Sequence, residues 1–84
     1  MERVKVYELI DGERDYQDSL DATRKEPSET PHTVGDYITM LHHYMRKLDE
    51  AWTVHAGTEH ALDVMRKIGG ISVHCMEDHG APPR

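Results

Sequence analysis

Residues 33–52 read TVGDYITMLHHYMRKLDEAW, and the spacing inside this stretch decides the fold. Val34, Ile38, Leu41, Met45, Leu48 and Trp52 follow one another at intervals of four, three, four, three and four. That is the heptad rhythm of a helix turning one apolar seam toward another helix, whereas a half-buried strand would alternate every second residue. The spacing predicts a helix over about 34–54. Its start is marked by Thr33 as N-cap, with Asp36 placed at the third helical position to reach back as in a capping box.

Downstream, Gly57 reads as the C-cap of that helix and Thr58 as the N-cap of a third, over about 59–79, whose Glu59 complements the positive helix end. Leu62, Met65, Ile68, Val73 and Met76 give this helix a broad apolar face, interrupted by the small pair Gly69 and Gly70. Gly80 is a C-cap, and Pro82 and Pro83 prevent continuation. Upstream, Val6, Leu9, Ile10, Tyr16 and Leu20 fit a 3.6-residue period and predict a first helix over about 6–20. Gly12 inside it costs roughly 1 kcal/mol relative to alanine, which points to a bend or a close backbone approach. Residues 21–32, DATRKEPSETPH, form a polar, proline-containing loop. The expectation is one all-α domain over 1–84: a short N-terminal helix plus a long antiparallel helical hairpin.

At 84 residues and 9.7 kDa, with 37% apolar residues, no Phe and 31% charged residues, such a chain buries only a thin core by itself. A helical homo-oligomer is therefore expected. The net charge of −6 argues against binding to DNA or RNA polymers, which needs a basic surface. Small anions are a different matter, because the cations cluster in the pairs Arg24-Lys25, Arg46-Lys47 and Arg66-Lys67. The single cysteine, Cys75, permits no internal disulfide, and no hydrophobic run suggests a membrane span or signal peptide. A soluble, cytosolic protein is the expectation.

Few residues suggest chemistry. Glu8 with Asp11, and Glu59 with Asp63, half supply the carboxylate pairs of a magnesium-dependent helical nucleotide pyrophosphohydrolase, but no Glu-x-x-Glu is present and the second pair sits where acids cap helices. They read as solvated or capping groups. The seven histidines match no standard zinc spacing, and Cys75 reads as a small buried residue without a catalytic partner. No catalytic residue, metal or cofactor is expected. Tyr16, followed by a loop carrying Arg24 and Lys25, offers either a ring on which a base stacks, worth roughly 1 to 3 kcal/mol, or plain core packing. Arg66 and Lys67 are either an exposed pair held by Asp63 or the lining of an anion pocket in an oligomer.

Taken together, VYELIDGERDYQDSL, a variable Pro-containing loop, HTVGDYITMLHHYMRKLDEAW and ALDVMRKIGGISVHCMEDHGAP resemble the phage anti-CBASS nucleotide sponges over nearly the whole chain. The helical hairpin alone is shared with the related anti-Thoeris sponges. The resemblance implies a non-catalytic protein that captures cyclic dinucleotides and cyclic trinucleotides intact and withholds them from antiphage effectors, in the cytoplasm of the infected bacterial host. It further implies a compact hexamer, with dinucleotides bound between neighbouring subunits and trinucleotides where three copies meet. Tyr16 then corresponds to the base-stacking tyrosine, while Thr33 and Arg66, with Lys67 beside it, correspond to the trinucleotide phosphate site. The family's lysine just before that threonine is missing, since Pro31 and His32 stand there. Lys25 or His32 would have to substitute. Two other functions stay open: the magnesium-dependent pyrophosphohydrolase and a helical protein-interaction module.

Overall fold

The computed structural model describes residues 1–22, 31–54 and 57–84, and the regular structure among them is entirely α-helical. The elements are α1 (Arg3–Ala22), α2 (Val34–Thr53) and α3 (Thr58–His79). The first outruns its expected bounds at both ends, starting before Val6 and continuing past Leu20. The Glu2 carbonyl accepts from the amides of Lys5 at 3.1 Å and Val6 at 3.2 Å and so closes an opening turn that no capping residue advertises. Gly12 neither breaks α1 nor admits a neighbour: a Cβ there would meet nothing within 4 Å.

The local signals around α2 act as expected at its start. Thr33 Oγ1 accepts from the Asp36 amide at 3.1 Å, and the Thr33 amide donates to Asp36 Oδ2 at 2.8 Å, the reciprocal bonds of a capping box. At its other end the reading of Gly57 needs correction. The C-cap is Val54, whose amide donates to the Glu50 carbonyl at 2.8 Å. Gly57 is instead the N-cap of α3, extended and without a side chain to cap with, and Thr58 is the first helical residue. Helix α3 stops where expected: Gly80 takes φ +92°, which costs an L side chain steric strain, and its amide closes on the Met76 carbonyl at 2.7 Å.

Helix α3 is the element on which the other two rest, and among the described residues α1 and α2 make no close approach to each other. The beginning of α2 meets the end of α3, where Tyr37 Oη donates to the Asp78 carboxylate and His79 Nε2–H donates to the His32 carbonyl at 2.8 Å. The beginning of α1 meets the beginning of α3 along an apolar groove of about 680 Å³ lined by Val6, Leu9, Ile10, Leu62 and Met65. Farther along, the small pair does what its size suggests. A Cβ at Gly69 would lie 3.2 Å from Ile10 Cδ1, and one at Gly70 would lie 2.8 Å from Glu13 Cγ, so the glycines let α1 come close.

The apolar interior is small. Tyr37, Ala51, Val64 and Ile71 are the buried hydrophobic residues among those described. The seam read from the sequence is kept at Leu41 and Leu48 and shifted elsewhere: the face that α2 turns to α3 carries Tyr37, Leu41, Tyr44, Leu48 and Ala51, with Tyr37 only 1% exposed. Val34, Ile38, Met45 and Trp52 lie on the adjoining stripe and are exposed. More unusual is what α1 buries. Glu13 and Arg14, 6% and 5% exposed, are the residues it hides, whereas Leu9, Tyr16 and Leu20 of its apolar period are exposed. No helix among the described residues is long and apolar enough to cross a membrane.

Candidate functional site

The seam between α1 and α3 is a chain of alternating charges. Arg66 Nε donates to Glu13 Oε1 at 3.0 Å and Arg66 Nη2 to Asp63 Oδ1 at 2.5 Å. Glu13 Oε2 accepts from Gln17 Nε2 at 3.4 Å, and Gln17 Oε1 in turn accepts from Arg14 Nη1 at 3.2 Å. Arg14 then reaches Glu77 at 2.7 Å and Asp18 at 2.8 Å. The i to i+3 and i+4 spacing of Glu13, Arg14, Gln17 and Asp18 is what lines these groups along one face of α1. Burial pulls the Arg14 guanidinium downward, but its bonds to Glu77 and Asp18 outweigh that and hold it above the usual arginine value. The bonds to Glu13 and Asp63 likewise raise Arg66, and the bond from Arg66 holds the Asp63 carboxyl below its ordinary range.

This network takes up Glu13, Arg14, Gln17 and Asp18 of the ERDYQD motif and leaves Asp15 and Tyr16 outside it, both exposed. Tyr16 is 57% exposed, so the core-packing reading of Tyr16 does not describe the single chain. Arg66 is about two-fifths exposed, and neither of its two carboxylate bonds uses Nη1. Lys67 Nζ stands 3.6 Å from Asp63 Oδ2, on the same helix.

Thr33 and His32 belong elsewhere. The Thr33 hydroxyl is occupied by its capping bond, and His32 sits at the far end of α3 beside His79. Thirteen residues of α3 separate Arg66 from His79, an axial distance of about 20 Å at 1.5 Å per residue. One chain therefore does not bring Arg66 and Thr33 together around a small ligand. Lys25 and Arg24 lie outside the described residues.

A second cluster went unread in the sequence. The Tyr37 ring is surrounded edge-on by His32, His74 and His79, at centroid distances of 5.5, 5.3 and 6.1 Å. Burial, followed by the bond to Asp78, drives the Tyr37 hydroxyl far above its usual value, while the same bond lowers Asp78. His74 Nε2 lies 3.7 Å from Asp78 Oδ2 and His32 Nδ1 3.9 Å from Asp36 Oδ2. Heptad counting hid this cluster because Tyr37 falls one position off the seam. The signal that could have found it is the coincidence of a capping box beside an aromatic with histidines near the end of the next helix.

The remaining candidates stay apart. Glu8 pairs with Lys5 at 3.4 Å, Asp63 is taken by Arg66 and Lys67, and Cys75 is a half-buried free thiol. Among the described residues no three His, Cys, Asp or Glu side chains gather to hold a metal ion. Comparisons with protein-family models, curated proteins and solved structures find no match to this chain.

Proposed function

We propose that this protein binds cyclic dinucleotides and cyclic trinucleotides without breaking them and withholds them from the effectors of CBASS-type antiphage defence in an infected bacterial cell. The observation that carries the reading is the exposure of Tyr16, 57%, while Glu13, Arg14, Gln17 and Asp18 of the same motif are engaged in the network between α1 and α3. An aromatic presented to solvent can hold a base by stacking, and an arginine with Nη1 outside its carboxylate bonds can hold a phosphate by charge. The 20 Å axial gap estimated from helix rise between Arg66 and the Thr33 end of α3 means that a site using both must draw them from different copies. Assembly as a homo-oligomer, with six copies in the form the sequence resemblance suggests, supplies that geometry. Pairing of α2 with α3 as an antiparallel hairpin is supported by the Tyr37 to Asp78 bond at one end and the Gly57 amide to Ala51 carbonyl bond, 3.5 Å, at the other. Lys25, Lys67 and His32 are the further residues assigned to the phosphates.

The test is calorimetric titration with cyclic di- and trinucleotides in the absence of magnesium, followed by chromatography of the ligand released on heating. Intact ligand should be recovered, and Tyr16→Ala should weaken binding by the roughly 1 to 3 kcal/mol that one stacked base contributes, about 5- to 150-fold. Absence of binding heat from both ligand classes, or linear products on addition of magnesium, would overturn the reading. The second of these outcomes would restore the pyrophosphohydrolase.

A further inference from the structure

Arg66 and Lys67 are adjacent cations on α3, and one carboxylate answers both of them. Asp63 gives Oδ1 to Arg66 Nη2 at 2.5 Å and Oδ2 to Lys67 Nζ at 3.6 Å, while Glu13 of α1 takes Arg66 Nε at 3.0 Å. The spacing favours this, since Asp63 precedes the pair by three and four residues and so lies on their side of the helix. Two cations and two carboxylates leave the cluster neutral. The bonds also hold Arg66 and Asp63 in their charged forms, raising the one and lowering the other. Glu13 is buried, but the side chains of Arg66, Lys67 and Asp63 are each 39% exposed, so an anion from solvent meets the acid together with the cations.

An arginine held in this way recognises anions differently from a free one. Nε and one N–H of Nη2 are spent on carboxylates. Nη1 shares the guanidinium carbon with the nitrogen that Asp63 holds, so an anion at Nη1 also comes close to the Asp63 carboxylate. Attraction by the cation and repulsion by the acid then grow together with the charge of the anion. The cost of stripping water from the anion grows too, and nothing in a neutral cluster offsets it. A bare Arg-Lys pair would behave in the opposite sense and favour the most highly charged anion. Phosphodiesters carry a single charge per phosphate, whereas a phosphomonoester carries about −1.5 to −2. We propose that Asp63 sets the specificity of the Arg66 site, admitting phosphodiesters and turning away phosphomonoesters and polyphosphates. The inference rests on the capture reading, in which Arg66 meets a phosphate. It distinguishes a cyclic oligonucleotide, whose phosphates are all diesters, from its ring-opened product and from nucleoside mono- and triphosphates, which end in more highly charged groups. Discrimination comes from a repulsive element placed beside the attractive one.

The test compares wild type with Asp63→Asn, which keeps an oxygen to accept from Arg66 but loses the charge, and with Asp49→Asn, an equal change of net charge at an exposed position on α2. Calorimetry without magnesium measures a cyclic triadenylate, the linear triadenylate bearing a 5′-phosphate, and inorganic pyrophosphate. Asp63→Asn should bind pyrophosphate roughly threefold or more tightly than wild type, and should narrow the preference for cyclic over linear ligand by a similar factor. Asp49→Asn should do neither. The difference in shape between the cyclic and linear ligands is common to all the proteins and cancels in this comparison. Asp63→Ala, which removes the carboxylate altogether, should shift both readouts in the same direction, and circular dichroism checks that each variant stays helical. Unchanged pyrophosphate affinity in Asp63→Asn, an unchanged preference between cyclic and linear ligand, or an equal effect of Asp49→Asn would each overturn the inference. An Asp63 with a purely structural role would instead weaken every ligand alike. Failure of the capture reading has a different signature, absence of heat from wild type with the cyclic ligand, whereas the pyrophosphate comparison needs no cyclic ligand and still reads the Asp63 charge.

Discussion

Two glycines in this chain have opposite roles, and substitution separates them. At Gly70 a Cβ would stand 2.7 Å from Gln17 Nε2 and 2.8 Å from Glu13 Cγ. The amide could swing aside, but Glu13 is held in place by Arg66, so Gly70→Ala forces α1 away from α3. Overpacking of this kind costs about 1–3 kcal/mol, and each kcal/mol lowers the melting temperature of a domain this small by about 4–8 °C. Gly12→Ala meets empty space in mid-helix and should stabilise by roughly 0.5–1 kcal/mol. Thermal melts of the two variants, moving in opposite directions, check both statements. Arg66 calls for a different experiment. Arg66→Ala leaves the Glu13 carboxylate buried without its cation, and one-sided loss of a buried pair costs about 3–5 kcal/mol. Water reaches the half-exposed Arg66 side, which brings the expectation down to about 2 kcal/mol. Adding Glu13→Gln should restore most of that loss in the same melts, since the amide keeps its bond to Gln17 without a charge. Binding assays on Arg66→Ala alone would therefore mix lost phosphate contact with lost stability.

Helix ends were legible in the sequence wherever a residue acts on its own neighbours. The capping box at Thr33 and the left-handed stop at Gly80 are such cases, because the bonds they make lie within four residues. Gly57 was assigned to the wrong helix because a glycine between two closely spaced helices suits either end. The buried charges of α1 were not legible at all: periodicity assigns charge to the wet face, and Glu13 and Arg14 are inside only because the glycines of another helix make room and supply the pairing. Tyr16, by contrast, reads as a residue with two possible roles, and its exposure excludes core packing only within the single chain. The carboxylates at these ends also set an acid limit. Asp36 is lowered by the Thr33 amide and hydroxyl, Asp63 by Arg66, and Asp78 by the Tyr37 hydroxyl. A folded-state pKa below the unfolded value contributes stability that is present above the unfolded value, near 3.9 for Asp, and lost as pH falls through the folded one. Melting temperatures should hold from neutral pH to about 4 and fall below it. Asp36→Asn should lower the plateau and make the acid fall shallower. Thr33→Ala should lower the plateau by about 1 kcal/mol through the lost cap.

Across the molecule, the thin core expected from composition is present, but it is distributed unevenly. Helix α2 meets α3 through Tyr37, Ala51, Val64 and Ile71, whereas the residues α1 buries are the charged Glu13 and Arg14. Apolar contact is nearly indifferent to salt and acid, and a network of carboxylates and guanidinium groups is not. The two halves of the structure therefore answer to different conditions. Amide hydrogen exchange should find α1 opening before α2 and α3, with the gap between them widening as salt is added. Docking of α1 also joins residues 53 and 63 positions apart, Glu13 to Arg66 and Arg14 to Glu77, so its return requires a long loop to close. Loss of the α1 contacts would bare Gly69, Gly70 and Arg66 on α3 while the apolar contact between α2 and α3 is kept.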